Sequence, residues 1–180
     1  DFTNAFNMID RQCLIDRVAE SIPELLPYVQ LAYGRESVLF CKEGRKVIMS
    51  SQGCQQGDPL GPALFSLVLQ PLLEKVKEAI KNHEQRRPRG DDRRRHDTVT
   101  AYLDDVTLTS HSLELTAEVL KIFQDEGPGI GLHLNIAKSA IHFPLSDIPP
   151  GVDEHGFPPE LKIRGRSSFP LLGGFISGDQ

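Results

Sequence analysis

Two adjacent aspartates, Asp104 and Asp105, interrupt a stretch from Thr98 to Ser110 that is otherwise rich in Thr, Val, Tyr and Leu and alternates in part like a strand. Two like charges cannot lie side by side near a core without a raised pKa or a bound cation. The stretch is therefore expected to fold back as a hairpin that carries both carboxylates at its tip. By itself such a tip needs no function, because Asp favours turns through hydrogen bonds to its own backbone.

The flanking segments set the fold class. From Pro62 onward, Leu64, Phe65, Val68, Leu72, Val76 and Ile80 form one apolar stripe, which predicts a helix of about five turns kinked at Pro71. Upstream, Asn7 is a candidate N-cap, with Asp10 three residues on, for a helix carrying Leu14, Ile15, Val18 and Ile22 and ending near Pro23. Leu25, Leu26, Val29 and Leu31 predict a second short helix, with Gly34 as a left-handed terminator. Ser37 to Cys41 and Lys46 to Ser50 predict a hairpin around Glu43-Gly44. Downstream, Ser112 caps a helix through Leu113, Ala117, Leu120 and Phe123 that Gly127-Pro128-Gly129 stops. Leu132 to Phe143 reads as strand, Leu145 to Glu160 as a long Pro-rich loop, and Lys162 to Arg164 and Leu171 to Ser177 as a closing strand pair around Arg166 to Pro170. Helices alternating with antiparallel hairpins predict an α+β fold, an antiparallel sheet with helices packed on one face. A doubly wound parallel fold would want a phosphate-binding Gly-rich turn after a strand, and none stands in that context.

Composition excludes several function classes. No apolar run is long enough to span a bilayer and no signal peptide is visible, so a soluble intracellular protein is expected, its compartment undefined. Cys13, Cys41 and Cys54 lack disulfide or zinc spacing and read as reduced thiols. A net charge of −5 argues against nucleic-acid binding, since phosphate contacts need Lys and Arg. The basic charge is clustered, however: between Asn82 and Asp97 stand six arginines, Arg86, Arg87, Arg89, Arg93, Arg94 and Arg95, against four acids. A solvated loop explains such a run equally well.

Five segments, in order along nearly the whole chain, carry a resemblance. They are Asp1-Phe2-Thr3-Asn4-Ala5-Phe6-Asn7, Gln55-Gln56-Gly57-Asp58-Pro59-Leu60-Gly61-Pro62-Ala63-Leu64-Phe65, Ala101-Tyr102-Leu103-Asp104-Asp105, Gly131-Leu132-His133-Leu134-Asn135-Ile136-Ala137-Lys138-Ser139, and Leu172-Gly173-Gly174. Together they resemble the palm motifs of reverse transcriptases, and the second and fourth are more similar to non-LTR retrotransposon and, more distantly, group II intron enzymes than to retroviral ones. The resemblance implies RNA-templated DNA synthesis from dNTPs onto a DNA primer, with two Mg²⁺ ions, or Mn²⁺ in their place.

The resemblance also implies roles. Asp1 and Asp104 would be shared metal ligands, Asp105 a third carboxylate and the Phe2 carbonyl a further oxygen donor. Lys138 would neutralise or protonate the pyrophosphate leaving group. Ala5, Phe6, Gln56 and Gly57 would line the nucleotide site, with the Phe6 ring beneath the sugar where a 2′-hydroxyl would collide. Tyr102, Leu172, Gly173 and Gly174 would meet the primer. Residues 1–180 are then a palm, with a fingers remnant at about 24–50 and an Arg-rich insertion at 82–97. The chain opens on Asp1 without an initiating Met, and it is expected to be a piece of a larger, more basic polymerase whose upstream fingers and downstream thumb lie elsewhere in the same polypeptide. Two other readings stay open: an inactive palm remnant that only binds nucleic acid or protein, and another palm-type enzyme such as an RNA-templated RNA polymerase or a nucleotide cyclase.

Overall fold

In the computed structural model, residues 1–40, 47–87, 96–166, 169–171 and 174–176 are described, the last two stretches as backbone only. The order is α1 (Ala5–Met8), α2 (Arg11–Ser21), a 3-10 turn (Pro23–Leu25), α3 (Leu26–Tyr33), β1 (Ser37–Phe40), β2 (Val47–Ser50), α4 (Gly61–Arg86), β3 (Thr98–Tyr102), β4 (Asp105–Thr109) and α5 (Leu113–Glu126). After a 3-10 turn (Gly127–Ile130) come β5 (Ala140–His142), a further 3-10 turn (Val152–His155), β6 (Lys162–Arg164), β7 (Phe169–Leu171) and β8 (Gly174–Ile176). Helices with small, mainly antiparallel sheets make an α+β fold of the palm-like kind expected.

The apolar stripe of α4 builds the core. Leu64, Phe65, Val68, Leu72, Val76 and Ile80 are all buried, and α4 packs on α2 through Leu14 and Val18 and on α5 through Leu115, Val119 and Phe123. Pro71 lies within α4 without ending it, although its ring removes the N–H that would bond the preceding turn. Ser112 caps α5 as predicted, its hydroxyl accepting the Leu115 N–H at 3.1 Å.

Four local expectations are corrected. Asn7 lies inside α1, and Asp10 is the cap of α2, accepting the Cys13 N–H at 2.8 Å. Gly34 ends α3 at φ −71°, not left-handed; its lack of a side chain matters because a Cβ there would stand 2.4 Å from the Gln30 carbonyl oxygen. Leu132 to Phe143 is not one strand: Leu134 forms a single antiparallel bridge to Phe2, the Asn135 side chain draws Lys138 into a turn, and only Ala140–His142 is extended. β6 pairs in parallel with β5, and the closing antiparallel pair is β7 with β8. The predicted turn at Glu43-Gly44 and Cys41 lie outside the described residues. Cys13 and Cys54 are free thiols. Among the described residues no helix is long and apolar enough to cross a membrane.

Candidate nucleotidyl-transfer site

The Asp104-Asp105 hairpin has the minimal loop. Tyr102 pairs with Asp105 across β3 and β4, leaving Leu103 and Asp104 as the two turn residues. Leu103 has φ +57°, the only positive value in the loop, which is the signature of a II′ turn whose first residue is ordinarily Gly. Holding Leu there costs about 1–3 kcal/mol. The side chain offsets this by packing against the core with Val99, Val106 and Leu108. Asp104 is thereby half-buried at the turn and Asp105 exposed at the start of β4.

Asp1 and Phe2 are set by the segment that carries Lys138. The Thr3 N–H donates to the His133 carbonyl at 2.8 Å, and the Asn135 N–H to the Asp1 carbonyl at 2.9 Å. Phe2 and Leu134 are therefore a non-hydrogen-bonded pair, and the Phe2 carbonyl faces away from that ladder. The buried Phe2 ring meets Phe123 edge-on, centroids 5.7 Å apart, which anchors the strand end on α5.

A cavity of about 1680 Å³ gathers part of this set: Asp1, Phe2, Tyr102, Asp105 and Lys138 line it, and Asp104 stands outside the lining at the turn. Carboxylate and carbonyl oxygens are the right donors for a hard divalent cation. Among the described residues, however, no three His, Cys, Asp or Glu side chains converge as a ready metal nest. The donor chemistry fits such an ion, while the three carboxylates do not converge on a single point.

The second group of expected residues lies on a separate wall. Ala5 is buried, while the half-buried Phe6 ring stacks on Phe65 of α4 with centroids 4.7 Å apart and planes 6° from parallel. The Phe6 carbonyl accepts the Cys54 N–H at 2.8 Å, tying α1 to the loop before α4. In that loop Asp58 N–H donates to the Gln55 carbonyl at 3.2 Å, closing a turn with Gln56 and Gly57 at its corners. Gly57 has φ +93°, as a type II turn requires, and a Cβ there would meet nothing within 4 Å. Both corners are exposed to solvent. Leu172 and Gly173 lie outside the described residues, and Gly174 opens β8.

A family model described as reverse transcriptase (RNA-dependent DNA polymerase) matches residues 1–173. The chain belongs to the reverse transcriptase family. Comparison with curated proteins found no match. Membership carries nucleotidyl transfer of the reverse-transcriptase kind, engagement of template and primer nucleic acid, and the family's general use of divalent metals.

Within this reverse transcriptase domain stand charged residues that no motif marked. Arg11 is buried, donating to the Ser50 carbonyl at 2.7 Å, the Ser50 hydroxyl at 2.9 Å and the Gly53 carbonyl at 3.0 Å. Its signal was helical phase: Arg11 falls on the same buried face as Leu14 and Val18. Asp97 is buried as well, paired with Arg87 and accepting the His111 N–H at 2.9 Å. Arg87 and His83 line the cavity of Asp1 and Asp105. Asn82 to Arg86 continue α4, so the ion pair joins the end of that helix to the approach to β3, and residues 88–95 lie outside the described residues.

Proposed function

We propose that this chain is the palm of a retroelement-type RNA-templated DNA polymerase that adds dNTPs to a primer 3′-OH. The observation that carries the reading is the placement of Asp1, Asp105 and Lys138 around one cavity, with Asp104 on the adjoining turn. Asp1 and Asp104 would hold the metals jointly, with Asp105 and the Phe2 carbonyl as further oxygen donors. Divalent ions held by these residues would supply charge neutralisation for phosphoryl transfer. Lys138, exposed on the cavity wall, offers its ammonium to the departing pyrophosphate. Phe6, backed by Phe65, presents a ring to the sugar beside Ala5 in the chain; Gln56 and the bare backbone of Gly57 face the nucleotide from the neighbouring turn. Tyr102, 64% exposed beside the carboxylates, offers a surface for the primer end, and the Leu172-Gly173-Gly174 run would extend it.

The domain assignment, a palm with parts of a larger polymerase elsewhere, rests on the shape of the cavity. Consecutive residues of β4, from Asp105 to Thr109, line it together with Lys138 to Ser146, and Asp1 and Phe2 belong to the same wall. Among the described residues β4 pairs only with β3 and β5 only with β6. A strand running into Asp1 would fill this slot, pair the free edges and bring the Asp1 carboxylate toward Asp104 and Asp105.

The reaction is tested by primer extension on an RNA template with the complete polymerase that carries this chain. Extension with dNTPs that needs both template and Mg²⁺ is expected; equal incorporation of ribonucleotides would point instead to an RNA polymerase.

A further inference from the structure

The nucleotide-facing turn is held from beneath by one hydroxyl. Tyr33, the last residue of α3, is one of the largest fully buried side chains, yet its oxygen reaches both ends of the Gln55 to Asp58 turn. It donates to Asp58 Oδ2 at 2.5 Å and accepts the Gln55 N–H at 3.2 Å, a combination that a tyrosine hydroxyl satisfies with its single proton and one lone pair. The other Asp58 oxygen accepts the Leu60 N–H at 2.9 Å, next to the start of α4. Gln55 is further tied by its side chain to the Ala32 carbonyl and the Ser37 hydroxyl, both at 3.3 Å. On the ring, the Arg11 guanidinium sits 5.5 Å from the centroid while its nitrogens bond Ser50 and Gly53. Burial first, and then the Asp58 hydrogen bond, push the Tyr33 pKa well above its ordinary value, so the hydroxyl remains a proton donor across the working range of pH.

We propose that Tyr33, seated by Arg11 and clamped to Asp58, is a positioning residue that fixes the Gln56-Gly57 corner for the incoming nucleotide. This rests on the assignment of Gln56 and Gly57 to the nucleotide site. The geometry gives it a reason: Gln56 and Gly57 are themselves exposed, so the turn must be immobilised through its flanks, Gln55 and Asp58. A buried tyrosine ring with few rotamers does so at little entropic cost.

The test compares Tyr33→Phe, Asp58→Asn, their double variant and Gln56→Ala in the complete polymerase, reading dNTP KM, kcat and backbone amide exchange. Tyr33→Phe keeps the ring and removes only the bridge, and a displaced binding corner is expected to raise dNTP KM about tenfold while kcat changes far less. Amide exchange should accelerate at residues 55–58 and not along α4, and the double variant should be no worse than the more severe single one. An unchanged KM in Tyr33→Phe beside a raised KM in Gln56→Ala overturns the positioning role and leaves the nucleotide site intact. No change in Gln56→Ala either removes both. Lower thermal stability or faster exchange throughout the protein, without the KM effect, makes Tyr33 a purely structural residue and likewise overturns the proposal.

Discussion

Leu103 and Phe6 are single side chains on which the proposed site depends. Leu103 accepts a strained backbone so that the turn can be two residues long, which keeps Asp104 and Asp105 next to each other. Phe6 is held by a stacked neighbour, Phe65, and a ring so supported can resist a 2′-hydroxyl. Phe6→Val is expected to raise the kcat/KM for ribonucleotides relative to deoxynucleotides; an unchanged ratio in single-nucleotide incorporation would remove Phe6 from sugar selection. Cys54 offers a test that needs no catalysis. Burial, and then the nearby Asp58 carboxylate, raise its thiol pKa from 9.0 to about 11, with Arg11 acting in the opposite direction. A raised folded-state pKa means stability that is fully present below about pH 9 and is lost as pH rises toward 11. Urea titrations should show that loss, at most about 3 kcal/mol, and Cys54→Ala should flatten it. Asp104 and Asp105 were legible in the sequence because two charges break an apolar pattern. Arg11 and Tyr33 were not, because each is made polar-satisfied by loop atoms some twenty to forty positions away.

Elements whose burial follows from local periodicity could be read directly: the stripe of α4 and the Ser112 cap of α5 stand where spacing placed them. The parallel pairing of β5 with β6 could not, since its register is set across the long loop from Phe143 to Leu161 and no hairpin turn announces it. The Arg87–Asp97 pair belongs to the same class of non-local facts. Asp97 has no exposed side-chain surface and Arg87 little, so the pair joins the end of α4 to the start of the carboxylate hairpin. Removing Asp97 takes a buried carboxylate from Arg87 and from the His111 N–H at once. Asp97→Ala should destabilise the protein by about 3–5 kcal/mol in denaturant unfolding, with loss of the cavity wall at Arg87. A change below about 1 kcal/mol would mean that the pair is solvated rather than structural.

At the scale of the molecule, free strand edges and exposed apolar side chains point the same way. Phe40 is 76% exposed, and Val38, Leu39, Val47, Ile48 and Met49 on the β1–β2 ribbon are exposed as well, while the slot beside β4 lacks a strand among the described residues. The 180-residue chain alone is expected to be weakly stable and unable to extend a primer processively. A version with a strand joined ahead of Asp1 should unfold at higher urea if the slot takes one; processive extension by the 180-residue chain would refute the slot assignment. On the proposed reading, the net charge of −5 belongs to the part of a polymerase that would hold the metal ions. The family was legible from five short motifs, whereas the relative placement of their carboxylates was not, because it depends on a strand pairing that those motifs do not encode. Asp104 as a metal-holding carboxylate is the centre of the proposed mechanism, and Mg²⁺-dependent, RNA-templated primer extension by the complete polymerase bearing Asp104→Asn tests it most directly. A loss on the order of 10³-fold in kcat with primer–template binding retained is the predicted result, and an Asp104→Asn polymerase that extends primers at the unsubstituted rate would contradict it.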